Sequence, residues 1–390
     1  MHYLDYAATA AIRPDQVGRA VMDYLSGVAA SPGRGGHRTA VEAGRIAFRA
    51  RRSLARLMGL PGDPGRVAFT LNATHALNLA MHGVLRPGDV LVVTAFDHNA
   101  VLRPARLLAD EKGIEVRMVP GDSDGSLAMD HLDEMLDGAR LFVVNEVSNV
   151  LGTRLPLEDL ASRAHDAGAL VLLDAAQSAG HGVGMPAEKG ADLIAFAGHK
   201  GLLGPQGTGA LWVREGLDLA PLIAGGTGGD SRSKDMPSGL PDRLEAGTPN
   251  MPGIAGLLAA LDFLRTGNQD ELHRKEMDLK ARLRDGLAEI RGVRILSPPA
   301  PDGVGIVTIT SDAMDPPTLA RRLEEDWGVV TRTGLHCAPE VHRILGTQDA
   351  GAVRFSLGWA STAEDVDQAL AGVEALVRPA RFGSGPVQPT

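Results

Sequence analysis

A chain of 390 residues, 44% hydrophobic and 22% charged, has the make-up of a soluble globular protein and length enough for two domains. Its 48 acidic and 39 basic side chains give a formal charge of −9 without a long basic block, which excludes wholesale binding to a nucleic-acid backbone. One cysteine, Cys337, rules out an intrachain disulfide, and the longest apolar stretch, 254–264, is short of a membrane span and broken by Asp262. Asp5 falls where a signal peptide needs its apolar run, so a cytoplasmic protein is expected.

In chain order, residues 15–219 alternate short apolar runs with helical patterns. Residues 66–70, 90–94, 114–119, 141–145, 170–174, 192–196 and 209–213 read as strands, whose continuous apolarity suits a sheet covered on both faces. Helices are expected over 74–85, 99–112 and 157–167, with a short one between 177 and 192. This is an α/β pattern with a mostly parallel sheet, whose ligands gather at the carboxyl ends of the strands. Residues 224–252 are rich in Gly, Pro and Ser and read as irregular. Helices over 253–266 and 270–290 follow, then strand, strand, helix, strand, loop, strand and helix to about 380. Residues 381–390 read as a disordered tail.

Asp174 ends one buried strand, and Lys200 lies just past the next. Pyridoxal phosphate needs both groups: an amine for its aldehyde and a carboxylate to keep a proton on its ring nitrogen. Either alone has an ordinary explanation, a helix N-cap for Asp174 and a solvated lysine for Lys200. The pair, flanked by glycines that permit close backbone approach, favours the cofactor.

Other strand ends add to this. Ala73 and Thr74 open a helix and offer N–H groups and a hydroxyl to a phosphate, though Thr74 also reads as a plain N-cap. His98 ends the 90–94 segment with a flat ring able to lie on the cofactor; Asn149, in a Ser-Asn-Val turn, is within a chain position to reach a ring hydroxyl. Near the C-terminus, Cys337 sits beside Arg332 and His336 on a Gly/Pro-bounded loop, a setting that lowers a thiol pKa. Arg354 on the next strand suits bidentate capture of a carboxylate, against the plainer readings of a buried thiol and a salt bridge.

These segments together resemble the class V aminotransferase family, in particular its cysteine desulfurase branch. The resemblance runs from Leu4-Asp-Tyr-Ala-Ala-Thr9 through residues 32–38, Gly198-His-Lys200 and Glu245-Ala-Gly-Thr248-Pro-Asn250 to Arg332-Thr-Gly-Leu-His-Cys337-Ala and Arg354-Phe-Ser-Leu-Gly358. Its short cysteine loop is similar to those of group II desulfurases and selenocysteine lyases. The resemblance implies a fold-type I pyridoxal-phosphate transferase. Its parts would be an arm (1–14) packing with the small domain, a large cofactor domain (15–250), a small C-terminal domain carrying the cysteine loop (251–380) and the tail.

It also implies roles. Lys200 would be the Schiff-base lysine, Asp174 the pyridinium partner, and Gln177 the partner of the ring hydroxyl, with His98 stacked on the ring as a catalytic group. Ala73, Thr74 and His199 would cradle the phosphate; Thr248 would reach the phosphate of a neighbouring subunit, implying a homodimer. Asn149, Arg354 and Arg332 would bind substrate. Lys200 would move the α-proton of L-cysteine and Cys337 would take its sulfur as a persulfide, releasing alanine. The sulfur would pass on to an acceptor protein or small thiol.

The chain departs from the family at Ala197 (usually Ser or Thr), His75 (commonly Glu), Glu146 (commonly His) and Tyr6 (Asn or Ser). A selenocysteine lyase, and a β-lyase, aminotransferase or epimerase in which Cys337 is dispensable, share the same constellation. A dinucleotide-binding oxidoreductase would need a glycine fingerprint after the first strand; the nearest match, 182–187, contains a Pro and follows no strand. His336, Cys337 and His342 could supply three metal ligands, but a fourth cysteine-type partner is lacking.

Overall fold

The computed structural model describes residues 1–33, 35–182, 186–227, 232–299, 301 and 303–377; residue 34 of the 32–38 motif, residues 183–185 and the 381–390 tail lie outside it. The strands are β1 (His2–Tyr3), β2 (Val67–Thr70), β3 (Val90–Thr94), β4 (Glu115–Val119), β5 (Ala139–Asn145), β6 (Leu170–Asp174), β7 (Leu193–Ala197), β8 (Gly209–Val213), β9 (Val293–Ile295), β10 (Ile306–Ser311), β11 (Val329–Val330), β12 (Arg332–Gly334) and β13 (Ala352–Ser356). The α-helices are α1 (Asp15–Asp23), α2 (Arg38–Leu57), α3 (Ala73–Val84), α4 (Asn99–Lys112), α5 (Leu132–Leu136), α6 (Leu157–Asp166), α7 (Met251–Thr266), α8 (Gln269–Ala288), α9 (Pro316–Trp327), α10 (Pro339–Ile344) and α11 (Ala363–Val377).

A seven-stranded sheet, ordered β2-β8-β7-β6-β5-β3-β4, forms the larger layer. β8 runs antiparallel to both its neighbours, while the other strands share one direction. Successive residues of one strand enter opposite cores. Val92, Val171 and Leu173 pack with Leu202, Leu257 and Leu261; Leu91, Val93 and Leu172 pack with Leu77, Val101 and Leu108. Both faces are therefore covered, as continuous apolar runs require. Each fully buried Leu or Phe here contributes about 1.5–3 kcal/mol.

Local chemistry sets the helix ends that matter for the site. Asn72 caps α3 by accepting the His75 N–H, and the His98 ring caps α4 by accepting that of Ala100. α4 stops at Gly113, in the left-handed conformation that glycine adopts without penalty.

The smaller layer is an antiparallel sheet ordered β12-β13-β10-β9, backed by α8, α9 and α11 through Leu283, Leu323 and Val373. β1 pairs in parallel with β11 and Asp5 bridges to Ser356, so the first residues lie on this layer, with Leu4 in its core. The expected short helix between 177 and 192 does not form among the described residues. The chain turns instead, and Gly180 sits so close to the Gly201 carbonyl that a Cβ would lie 2.1 Å from that oxygen. The expected loop before β13 contains a helix, α10. Among the described residues no helix is long and apolar enough to cross a membrane.

Candidate active site

The carboxyl ends of β5, β6 and β7 and the start of α3 and α4 surround a cavity open to solvent. Ala73, Thr74, His98, Asn149, Asp174, Gln177, His199 and Lys200 all line it. Asn72, Asn145, Ala176 and Ala197 join them. Thr248, Arg332, Arg354 and Cys337 do not.

Asp174 is the last residue of β6, paired across the sheet with Asn145 and Ala195. Its carboxylate accepts the Ala176 N–H at 2.9 Å. Burial raises its pKa, while that N–H and the charge of Lys200 act the other way. Lys200 follows β7 in a turn fixed by Gly198 N–H to Thr208 O (2.9 Å) and Gly204 N–H to Gly198 O (2.7 Å). Burial pulls its ammonium down to about 8; Asp174 opposes this, and the Arg354 and Arg332 charges add to it. The lysine thus has a substantial neutral fraction near neutrality, which a nucleophilic amine requires.

The N-terminal arm closes this side. Arg13 donates from Nε to Gly204 O (3.0 Å) and from Nη2 to Thr9 Oγ1 (3.3 Å). His199 Nδ1 lies 3.1 Å from the same Thr9 hydroxyl. Burial and the neighbouring Lys200 hold His199 down to about 4. The Thr9 hydroxyl also donates to the His199 carbonyl at 3.2 Å, so the arm holds both the ring and the backbone of this residue. Gln177, expected on a ring hydroxyl, donates through Nε2 to Ala7 O at 3.0 Å. Its arm contact leaves Oε1 and one amide hydrogen for any ligand.

His98 Nδ1 accepts the Ala100 N–H at 3.0 Å, so its proton resides on Nε2. Burial, then the charges of Lys200 and the nearby arginines, push it down to about 4, and the ring is neutral. Across the cavity Ala73, Ala176 and Ala197 form a small apolar cluster at the α3 N-terminus. Gly209 behind them tolerates no side chain, since a Cβ would lie 2.7 Å from the Asn72 backbone.

Cys337 is exposed, with the backbone of both His336 (φ 49°) and Cys337 (φ 56°) left-handed, a conformation that costs L-residues about 1–2 kcal/mol each. Two bonds hold this turn beside the cavity. Asn149 Nδ2 donates to His336 O (2.7 Å), and Asn99 N–H, at the start of α4, donates to Cys337 O (2.7 Å). Asn149 Oδ1 is buried without a partner among the described residues. Arg354, on β13 and 2% exposed, donates to Asn149 O (2.9 Å) and pairs with Asp5 (2.9 Å), while its Nε has no partner among the described residues. Arg332 is exposed. Burial drives the His336 ring down to about 2, so it is neutral and brings no positive charge to the loop. It is bonded to His342, and among the described residues no group of three His, Cys, Asp or Glu side chains is arranged to hold a metal ion.

Thr248 lies on a separate open groove with Phe48, Arg51 and Phe69. Its segment is pinned by Glu245, whose carboxylate takes Arg51 Nη1 at 2.5 Å and Nη2 at 2.8 Å and also the Phe69 N–H. Arg51 in turn lies 4.3 Å over the Phe69 ring.

Sequence reasoning missed Asp97 and Asn145. Asp97 is fully buried and accepts Thr94 N–H (2.7 Å) and Asn145 N–H (3.1 Å), tying β3 to β5 beneath the cavity. Burial raises it to about 8, with the charge of Asp174 adding to the effect. The signal available was an acid directly before His98 at a strand end.

The model of the family described as aminotransferase class-V matches residues 2–369. A probable cysteine desulfurase of Methanothermobacter thermautotrophicus is 33% identical over 371 residues, covering 93% of this chain and 92% of the relative. One from Pseudomonas aeruginosa is 36% identical, covering 94% and 91%. The apo structure of a cysteine desulfurase from Thermococcus onnurineus superposes with a TM-score of 0.88 at 32% identity, covering 96% of this chain and 94% of that one.

Proposed function

The chain belongs to the class V aminotransferase family and has its fold-type I architecture, and we propose on that premise that it is a pyridoxal-phosphate-dependent cysteine desulfurase. The observation that carries the reading is the placement of the Cys337 turn. It is bonded to Asn149 and Asn99, beside the cavity that Asp174 and Lys200 share.

The residues present fit the cofactor. A buried carboxylate, a lysine with a lowered pKa, and a helix N-terminus with an exposed Thr74 hydroxyl line one cavity. Lys200 would hold the aldehyde and Asp174 the ring nitrogen; Thr74, the α3 N–H groups and His199 would hold the phosphate, and the flat His98 ring would cover the cofactor. When bound, the cofactor supplies an electron sink for a carbanion at the substrate α-carbon.

The chain's own groups do the rest. Arg354 has an unpartnered Nε beside Asn149, whose Oδ1 is also unpartnered; a substrate carboxylate and amine satisfy donor and acceptor respectively. Lys200, partly neutral near pH 7, takes the α-proton of L-cysteine. The Cys337 thiolate then attacks the substrate sulfur. An S–S bond forms, the C–S bond breaks, its electron pair stays with the substrate β-carbon, and protonation there yields alanine. The persulfide, on an exposed residue, is open to an acceptor protein or small thiol.

We further read the protein as a cytoplasmic homodimer. Thr248 does not line its own chain's cavity; it borders a face where Phe48, Leu71 and Ile223 are each at least half exposed, and a second copy would bring Thr248 to its partner's phosphate. Selenocysteine lyase remains a second reading because the same groups act on selenium.

The test is alanine formation from cysteine and from selenocysteine, with wild type and Cys337→Ala. Wild type forms alanine from cysteine and Cys337→Ala does not. Unchanged turnover by Cys337→Ala would replace desulfuration with β-lyase or aminotransferase chemistry, and activity confined to selenocysteine would make the enzyme a lyase.

A further inference from the structure

Behind Cys337 three polar side chains form a line that none of the steps above uses. Thr347 Oγ1 lies 2.8 Å from His342 Nδ1, His342 Nε2 lies 3.2 Å from His336 Nδ1, and His336 Nε2 lies 3.3 Å from the Arg332 carbonyl. The two rings are stacked, with centroids 5.4 Å apart and planes 24° from parallel. His342 is completely buried and His336 nearly so.

The last acceptor fixes the direction of the whole line. A carbonyl accepts only, so His336 Nε2 carries its proton and Nδ1 is a lone pair. His342 Nε2 must then donate to it, leaving His342 Nδ1 as the acceptor for the Thr347 hydroxyl. That hydroxyl also lies 3.4 Å from the His342 carbonyl, but the contact to the ring is shorter. One set of neutral tautomers satisfies every atom; the opposite set would aim a lone pair at the Arg332 oxygen. Burial keeps both rings neutral, His342 at about 4 and His336 at about 2.

The line ends on the residue that needs holding. His336 and Cys337 are consecutive left-handed residues without a glycine between them, and such backbone persists only where the surroundings over-determine it. Asn149 and Asn99 fix their carbonyls. The relay fixes the His336 side chain against β12, whose first residue is Arg332.

We propose that His342 is a positioning residue which, through His336, locks the left-handed turn that presents the Cys337 thiol to the substrate sulfur. Its effect on turnover rests on the desulfurase reading; its effect on the thiol itself does not. Thr347 belongs to the same device as its outermost donor.

The test compares holoenzymes carrying His342→Leu, His342→Gln and Thr347→Val. Leucine fills the space without donating; the glutamine amide nitrogen reproduces the Nε2 donor. His342→Leu lowers kcat for alanine formation by about tenfold or more, with KM and the visible spectrum of the bound cofactor unchanged. It also speeds iodoacetamide alkylation of Cys337 at least several-fold, because the turn opens. His342→Gln restores both towards wild type. Thr347→Val shows the same pattern more weakly and serves if His342→Leu does not fold. Wild-type kcat and alkylation rate in His342→Leu, or a glutamine variant as impaired as the leucine one, overturns the proposal. Accelerated alkylation in an enzyme that makes no alanine from cysteine upholds the relay and removes the desulfurase reading instead.

Discussion

Lys200 has to be an amine to hold an aldehyde, and its surroundings determine how often it is one. Burial brings its ammonium from 10.5 down to about 8. At pH 7 about one molecule in ten then carries the free amine, roughly 300-fold more than for an unperturbed lysine. Asp174 works against this, since its charge favours the ammonium form. Asp174→Asn is therefore expected to lower the Lys200 pKa further, although it removes the group read as the ring-nitrogen partner. Competitive labelling of the apoprotein with limiting acetic anhydride across pH 6.5–10.5, read by peptide mass spectrometry, measures the titration directly. Wild type gives a midpoint near 8 and Asp174→Asn a lower one. A wild-type midpoint near 10.5, or an upward move in the variant, refutes the reasoning. The stability sign follows from the same value. The unfolded chain holds the extra proton between pH 8 and 10.5, so the burial penalty on this lysine, about 3 kcal/mol, is full below pH 8 and is relieved as pH rises through that window.

Ala197→Ser adds a hydroxyl to the apolar Ala73–Ala176–Ala197 corner at the α3 N-terminus; a bond to a charged phosphate worth about 1.5–3 kcal/mol tightens cofactor binding by about ten- to hundredfold, measured by equilibrium dialysis. Unchanged affinity would place the phosphate elsewhere. Arg51→Lys loses the two-pronged bond to Glu245 and the ring contact with Phe69. It should cost about 3 kcal/mol in urea unfolding, whereas a loss below about 0.5 kcal/mol would make the pair a surface ornament. His98, His199 and His342 are each held to about 4 in the folded chain. Each unfolded imidazole takes up a proton near 6.5 that the folded one refuses, so stability falls as pH drops from about 6.5 to 4, by up to roughly 1.4 kcal/mol per pH unit for each ring. Denaturant midpoints that stay level over that range would contradict the buried, neutral assignment.

The sheet was legible because runs such as Val90–Thr94 and Leu170–Asp174 are apolar on both faces, and the structure has strands with those bounds. The reversal of β8 was not, since a run such as Ala-Leu-Trp-Val carries no direction. A short helix is expected between 177 and 192 until Gly180 is seen pressed against the Gly201 carbonyl, a long-range approach that no local pattern encodes. In the cavity, Asp174 and Lys200 were legible as a pair because strand-end chemistry follows chain order. Asp97 was not, because its partners are backbone N–H groups of Thr94 and of Asn145 on another strand. His336 and His342 carry the letters of a metal site, yet at 3.2 Å they face each other. Composition names donors; only packing decides whom they meet.

The arm that begins the chain has a consequence for synthesis. Asp5 pairs with Arg354, Ala7 O accepts from Gln177, and Thr9 contacts His199, so the arm reaches its place only after a strand made 349 residues later has emerged. A nascent chain that already contains Asp174 and Lys200 still lacks the strand that anchors its own beginning. Chains truncated before β13 should therefore leave the arm undocked and depend on chaperones.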